Sequence, residues 1–252
     1  MTSRRRALRC MLWFVGGGTV GFVAGNAVPL GARLADQRTS IGERRSLRLA
    51  DGSLLQLNTD TAVDIHFEAA ERRIELLRGE LMLTCAADVP GRPLRIVTRH
   101  GSLAPLGACL SVRLHDAHTC VAVSEGVVQV VCARRQREPA VTLQAGQQLR
   151  FDAVGAGSVR QLQESTRSWV DGVFHVEGMR LAELVVELGR YRPGILRCAP
   201  AVADLRLSGV WRLDDDADGE GVLIAIEQQL PVRIRRFTRY WVSLEPAPLN
   251  AT

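Results

Sequence analysis

The apolar residues of this chain repeat with one period before Trp169 and with another after it. From residue 41 to about 152, apolar and polar side chains alternate, as in Leu47-Arg48-Leu49, Leu55-Gln56-Leu57 and Val63-Asp64-Ile65-His66-Phe67. A period of two sends successive side chains to opposite faces of a strand. Turn signals fall at Asp51-Gly52, Arg78-Gly79, His100-Gly101, Glu125-Gly126 and Ala145-Gly146, spaced 20 to 27 residues apart. Glycine there accepts the positive φ that a tight turn needs. Short strands punctuated this regularly predict an all-β domain over residues 31–153, a sandwich, a barrel or a solenoid-like stack.

Beyond Trp169 the pattern is mixed. Residues 173–176 read as a strand. Leu181, Leu184, Val185, Leu188 and Tyr191 then follow at offsets 0, 3, 4, 7 and 10, the apolar face of a helix. Pro193-Gly194 stops it. Residues 195–198 and 205–213 read as strands. A second helix is expected over 217–229, opened by Asp214, Asp215 and Asp216, whose charge suits a helix N-terminus. Residues 231–237 and 240–244 close with two strands. The order β-α-β-β-α-β-β predicts a small α+β domain over 169–248, with helices on one face of a sheet. The polar, glycine-containing residues 154–168 read as a linker.

Residues 10–30 carry no charge and follow Arg4, Arg5, Arg6 and Arg9. At about 1.5 Å per residue they match the roughly 30 Å hydrocarbon core of a bilayer. The positive-inside rule leaves residues 1–9 as a cytoplasmic stub and sends the rest across the inner membrane. The rival is a signal peptide cut near Ala24-Gly25-Asn26-Ala27. An uncleaved anchor is preferred because the apolar stretch exceeds the usual h-region of about 7–15 residues. Gly17, Gly21 and Gly25 form a small-residue face, a candidate for packing against another membrane helix.

The formal net charge is +5, supplied by Arg alone, and it is spread along the chain rather than gathered into the basic face of a nucleic-acid binder. None of the six cysteines forms Cys-x-x-Cys, which excludes a zinc ribbon or a thioredoxin-like centre. Cys85, Cys109, Cys120 and Cys132 read as small buried strand residues, with a disulfide among them as the alternative. His115, His118 and Cys120 lie close together, but His-x2-His-x-Cys is no standard ligand spacing. On a strand, His118 and Cys120 share one face while His115 takes the other. The acidic run from Asp214 to Gly219 lacks the closing Glu of a calcium loop, since Ala225 stands at its twelfth position. No phosphate-cradling loop and no supported Ser/His/Asp set is present. The expectation is a protein that is no enzyme, with no cofactor, no metal and no nucleic-acid partner.

Several segments, taken in order, resemble the periplasmic FecR domain. They are Gly42-Glu43-Arg44-Arg45, Leu49-Ala50-Asp51-Gly52-Ser53, Leu57-Asn58-Thr59, Leu76-Leu77-Arg78-Gly79-Glu80-Leu81, Thr98-Arg99-His100-Gly101, and the stretches 121–130 and 143–151. Trp169-Val170-Asp171-Gly172, Leu188-Gly189-Arg190-Tyr191, Leu207-Ser208-Gly209-Val210 and Leu230-Pro231-Val232-Arg233 resemble that family's C-terminal domain, which is similar to the signalling domains of secretins and TonB-dependent receptors.

The resemblance implies a transmembrane regulator of iron-siderophore uptake. The periplasmic signalling domain of a TonB-dependent outer-membrane receptor would dock on the C-terminal domain, and the signal would pass inward to an extracytoplasmic-function sigma factor. Two features depart from the pattern. The nine residues before the apolar span are too few to fold into the family's sigma-binding domain, and the family's Leu-Gly-Thr-x-Phe stands here as Leu106-Gly107-Ala108-Cys109-Leu110. Candidate docking residues are Leu181, Leu184, Val185 and Leu188 on the helix stripe, which also reads as core, with Tyr240 and Trp241 on the last strand. A strand edge at residues 205–213 or 240–244 would admit a partner strand. The alternative from another class is a membrane-tethered structural or glycan-binding β-protein without sigma-factor control.

Overall fold

The computed structural model describes residues 32, 34–87, 91–135, 137–163, 166–213 and 219–248. The expected membrane span, with Gly17, Gly21 and Gly25, lies outside the described residues, and so does the acidic run 214–218. Among the described residues, no helix is long and apolar enough to cross a membrane.

The chain is mainly β. Its first part builds one 11-stranded sheet from β1 (Gln37–Arg38), β2 (Arg45–Arg48), β3 (Leu54–Leu57), β4 (Ala62–Phe67), β5 (Arg72–Thr84), β6 (Leu94–Thr98), β7 (Gly101–Leu114), β8 (Thr119–Cys132), β9 (Val141–Gln144), β10 (Gln147–Phe151) and β11 (Arg160–Gln161). Three of these strands are long, and each serves twice. The first part of β5 lies beside β4 and β6, and its second part beside β3 and β7. The first part of β7 pairs with β6 and its second with β5, while β8 runs along both. Along β8, the first part pairs with β10 and the second with β9. The sheet thus folds over itself, and both halves close on one core that includes Leu57, Ile74, Leu83, Leu103, Leu110, Val123, Val128 and Phe151.

The fold-over is visible in which residues point inward. In β5 the buried set is Ile74 and Leu76 before the bend and Leu81 and Leu83 after it; in β8 it is Val121 and Val123, then Val128 and Val130. Because side chains alternate strictly, a change from even to odd positions, or the reverse, requires an extra residue in the strand, a bulge. Gly79 sits at the first switch with φ +85° and Gly126 at the second with φ +74°. A Cβ on Gly79 would stand 2.3 Å from Thr61 Oγ1, and one on Gly126 would stand 2.5 Å from the Gly107 carbonyl oxygen. Arg78-Gly79 and Glu125-Gly126 therefore lie inside continuous strands, beside the bulged residues Leu77 and Ser124, and are not the expected turns, whereas Asp51-Gly52, His100-Gly101 and Ala145-Gly146 do fall where one strand gives way to the next. Turn and bulge both need positive φ, so glycine alone does not distinguish them. At the Asp51 turn, Ser53 donates to the carboxylate through N–H (2.9 Å) and Oγ (2.8 Å), and Arg72 pairs with it at 2.6 Å.

The second part runs β12 (Val173–Arg180), α1 (Leu181–Leu188), β13 (Ile195–Cys198), β14 (Arg206–Arg212), α2 (Glu220–Gln229), β15 (Val232–Thr238) and β16 (Trp241–Pro246). The element order is the expected one. The single sheet is not: β12 pairs only with β14, while β13, β16 and β15 form a separate sheet in which β13 runs parallel to β16. Periodicity specifies each element but not its partner. Both helices and both small sheets share one core, including Phe174, Leu184, Leu188, Leu207, Leu223, Ile226, Val242 and Leu244.

The described residues of 154–168 do not hang free as a linker would. Strand β11 adds to β10, and Leu162 N–H donates to the Gly146 carbonyl at 2.8 Å. Trp169, in a 3-10 turn at Ser168–Asp171, buries its ring with Met82 and Cys109 of the large sheet. Arg44 Nη1 donates to the Trp169 carbonyl at 2.6 Å. The five described cysteines are free thiols.

Candidate functional site: the joint between the two domains

Three segments of the β domain reach toward the end of α1. Asn58 and Thr59 leave β3, Glu80 follows the Gly79 bulge in β5, and Arg113 lies near the end of β7. The bulge is what aims Glu80 away from the apolar core and toward the joint. Asn58 N–H donates to the Glu80 carbonyl at 2.9 Å, which holds the loop on the strand. Helix α1 stops at Leu188 rather than continuing to Tyr191. Gly189 N–H closes on the Val185 carbonyl, and Arg190 and Tyr191 turn back through N–H bonds to Glu187 and Leu188.

Arg190 Nη2 donates to Glu80 Oε2 at 2.7 Å and Nη1 to Glu187 Oε1 at 2.5 Å. Arg113 Nη1 lies 2.8 Å from the other oxygen of Glu187. Asn58 Nδ2 donates to Glu80 Oε2 at 2.9 Å and to Tyr191 Oη at 3.0 Å. Thr59 Oγ1 donates to the Arg190 carbonyl at 2.8 Å and accepts from Gly42 N–H at 2.8 Å. Charges alternate along Arg113, Glu187, Arg190 and Glu80, so a connected polar network joins the two domains beside the apolar contact of Trp169 with Met82 and Cys109. Such a network is strong only while each member is satisfied.

Burial pushes the Glu187 carboxyl up, but Arg190 and Arg113 outweigh it and hold it below the ordinary value. Burial likewise works against the Arg190 charge, while Glu187 and Glu80 hold that guanidinium more firmly protonated than usual. Burial raises the Tyr191 hydroxyl to about 12. These groups keep their charge states across the neutral range, so the joint is a clamp there and not a titrating switch.

Beside the joint a cleft of about 1320 Å³ opens between α1, the β7–β8 hairpin, β10 and residues 155–163. At its wall, the expectation for His115 is corrected. Residues 115–118 form the hairpin turn, where strand alternation no longer applies, and His115 N–H donates to the His118 carbonyl at 2.9 Å. The two imidazoles stack with centroids 4.4 Å apart at 15°. One ring nitrogen of each imidazole and Cys120 Sγ lie within 4.8 Å of one another. Burial pushes His115 down to about 4, and burial followed by the Arg150 charge lowers His118. Burial raises the Cys120 thiol, with Arg150 acting in the opposite sense.

Leu181, Leu184, Val185 and Leu188 are not an accessible docking face, because they are 0–4% exposed in the core of the second domain. The helix repeat that selected them is the repeat of a core-facing stripe. On the same helix Val186 is 70% exposed and borders the cleft. Tyr240 and Trp241 are 46% and 44% exposed. They stand with Phe237, whose ring centroid is 5.2 Å from that of Trp241, while Arg239 lies over the Tyr240 ring at 4.4 Å. Strand β15 is one edge of its sheet and β13 the other. Sequence reasoning quoted Asn58, Glu80 and Arg190 within motifs and placed Tyr191 on the helix stripe, but gave none of them a part in a joint. The only signal was a charged residue beside a glycine in an otherwise strand-like run.

Residues 35–129 match the family model described as FecR protein. Two crystal structures of a "putative anti-sigma factor" from Parabacteroides distasonis ATCC 8503 share the fold. Each has a TM-score of 0.65 and 22% identity, over 84% of this chain and 98% of that one. None of the curated proteins matches the chain.

Proposed function

We propose, from the match of residues 35–129 to the family model described as FecR protein, a regulator of signal transduction that works by protein–protein contact and carries out no bond chemistry. In this reading residues 10–30 anchor it in the inner membrane and the described domains stand in the periplasm. The second domain receives the signalling domain of a ligand-loaded TonB-dependent receptor. The message then passes to an extracytoplasmic-function sigma factor controlling siderophore uptake.

The observation that supports this is the Glu80–Arg190 joint. A relay needs the receiving domain to be mechanically continuous with the next, and the buried network makes it so. The exposed Phe237, Tyr240 and Trp241, next to the outer edge of β15 where Glu227 accepts from the Ile234 N–H, supply aromatic anchors and a strand edge for such a partner. The experiment is a binding titration of the full chain against periplasmic signalling domains of TonB-dependent receptors from the same organism. Binding by one of them, weakened by Trp241→Ala, is expected. Failure of every such domain to bind would remove the receptor from the reading.

A further inference from the structure

We infer that His115, His118 and Cys120 form a binding site for one thiophilic metal ion, zinc(II) or copper(I). The inference is independent of the receptor reading, since it concerns only what the β7–β8 hairpin can hold.

Two imidazoles and a thiolate are the donor set that soft and borderline ions select over oxygen-loving ones. The three donor atoms already lie within 4.8 Å of one another. Bond lengths of about 2.0–2.1 Å to nitrogen and 2.3 Å to sulfur put donors around a single ion about 3.3–3.6 Å apart. Closing that difference requires one imidazole to turn out of the stack, because lone pairs in near-parallel ring planes do not converge on one ion. The backbone needs no change: His115 N–H is bonded to the His118 carbonyl, and Cys120 is held in register opposite Arg113.

A second observation points to a ligand. His118 Nε2 is buried without a hydrogen-bond partner. An unsatisfied buried polar atom costs about 1–3 kcal/mol and is uncommon in a folded protein. A metal ion on this side of the ring would use that lone pair. The cleft leaves an approach to the three side chains and room for a fourth ligand such as water.

The surrounding charge does not bar a cation. Arg113, Arg150 and Arg190 act on the cluster together with Glu187 and Asp152, and His100 lies near His118. With both imidazoles neutral and the thiol deprotonated, the ligands carry one negative charge. Zinc(II) would leave the site at plus one and copper(I) would leave it neutral.

The test uses the full chain in detergent, reduced and stripped with a chelator, then titrated with Co2+. A thiolate-to-cobalt charge-transfer band saturating at one equivalent is expected. Separate Zn2+ and Cu+ titrations against competing chelators then rank the two ions. Cys120→Ser should abolish the band, His115→Gln and His118→Gln should each weaken binding by about tenfold or more, and Cys198→Ser should change nothing. Absence of the band in the wild-type chain overturns the inference. So does a band that survives Cys120→Ser or ignores both histidine substitutions. If circular dichroism shows Cys120→Ser unfolded, the histidine variants decide.

Discussion

Glu80 and Arg190 are separated by 110 positions in the chain, yet Arg190 Nη2 donates to Glu80 Oε2 at 2.7 Å. The Glu80 side chain is 5% exposed and that of Arg190 18%. Removing one member of a buried pair leaves the other short of a partner, at a cost of about 3–5 kcal/mol where no substitute exists. Arg190 retains Glu187, which moderates the loss. A double-mutant cycle of Glu80→Gln and Arg190→Met, followed by urea denaturation, should give a coupling energy of about 1–3 kcal/mol. A value near zero would mean that the two domains are not coupled through this pair.

Acid should loosen the same joint. The Glu187 carboxyl titrates below its ordinary value in the folded chain. Its contribution is therefore fully present above the unfolded pKa of about 4.3 and is lost as pH falls through the lower folded value. Urea midpoints measured between about pH 6 and pH 3 should fall toward the acid end, and the fall should be smaller in Glu187→Gln. Asp51, also lowered in the folded chain, should keep some acid dependence in that variant.

The strand bends should tolerate no side chain. Gly79→Ala meets both a positive φ and a Cβ placed 2.3 Å from Thr61 Oγ1, whereas Gly146, with φ +81°, has nothing within 4 Å. Gly146→Ala should therefore cost about 1–2 kcal/mol, the left-handed backbone penalty alone. Gly79→Ala should cost distinctly more or leave the chain insoluble. Equal melting temperatures for the two variants would contradict the bulge assignment.

Helix α1 should separate folding from surface. Leu184 is wholly buried, so Leu184→Ala should destabilise the second domain by about 2–5 kcal/mol. Val186 is 70% exposed, and Val186→Asp should stay within about 0.5 kcal/mol of wild type. The readout is chemical denaturation followed by tryptophan fluorescence. A strongly destabilised Val186→Asp would indicate that this face is covered in the protein as purified.

The aromatic hairpin should behave as a surface. Trp241→Ala is expected to leave the unfolding midpoint nearly unchanged, because Trp241 is 44% exposed. A large loss of stability would assign Phe237, Tyr240 and Trp241 to packing instead of contact.

Much of the second domain was legible because its signals are local. The Ile195–Cys198 strand and the Leu181–Leu188 stripe arise from alternation and helix period within a few residues. The β domain was legible as a class for the same reason. The bulges at Gly79 and Gly126 were not, since glycine reports only that φ is positive and says nothing of whether the chain reverses or merely bends. The helix stripe read both as core and as docking face because the two share one repeat, and burial places it in the core.

The sequence by itself determined which residues alternate, where a helix period begins, and the order of elements in each domain. Those properties depend on side chains within one turn or one strand of each other. Tertiary structure alone decided that Asn58, Glu80, Arg190 and Tyr191 meet at one joint, and that His115 turns toward His118 and Cys120 instead of away. Both outcomes rest on where strands cross and where a hairpin ends. Such positions are set by the packing of the whole sheet over its core, which no local pattern encodes.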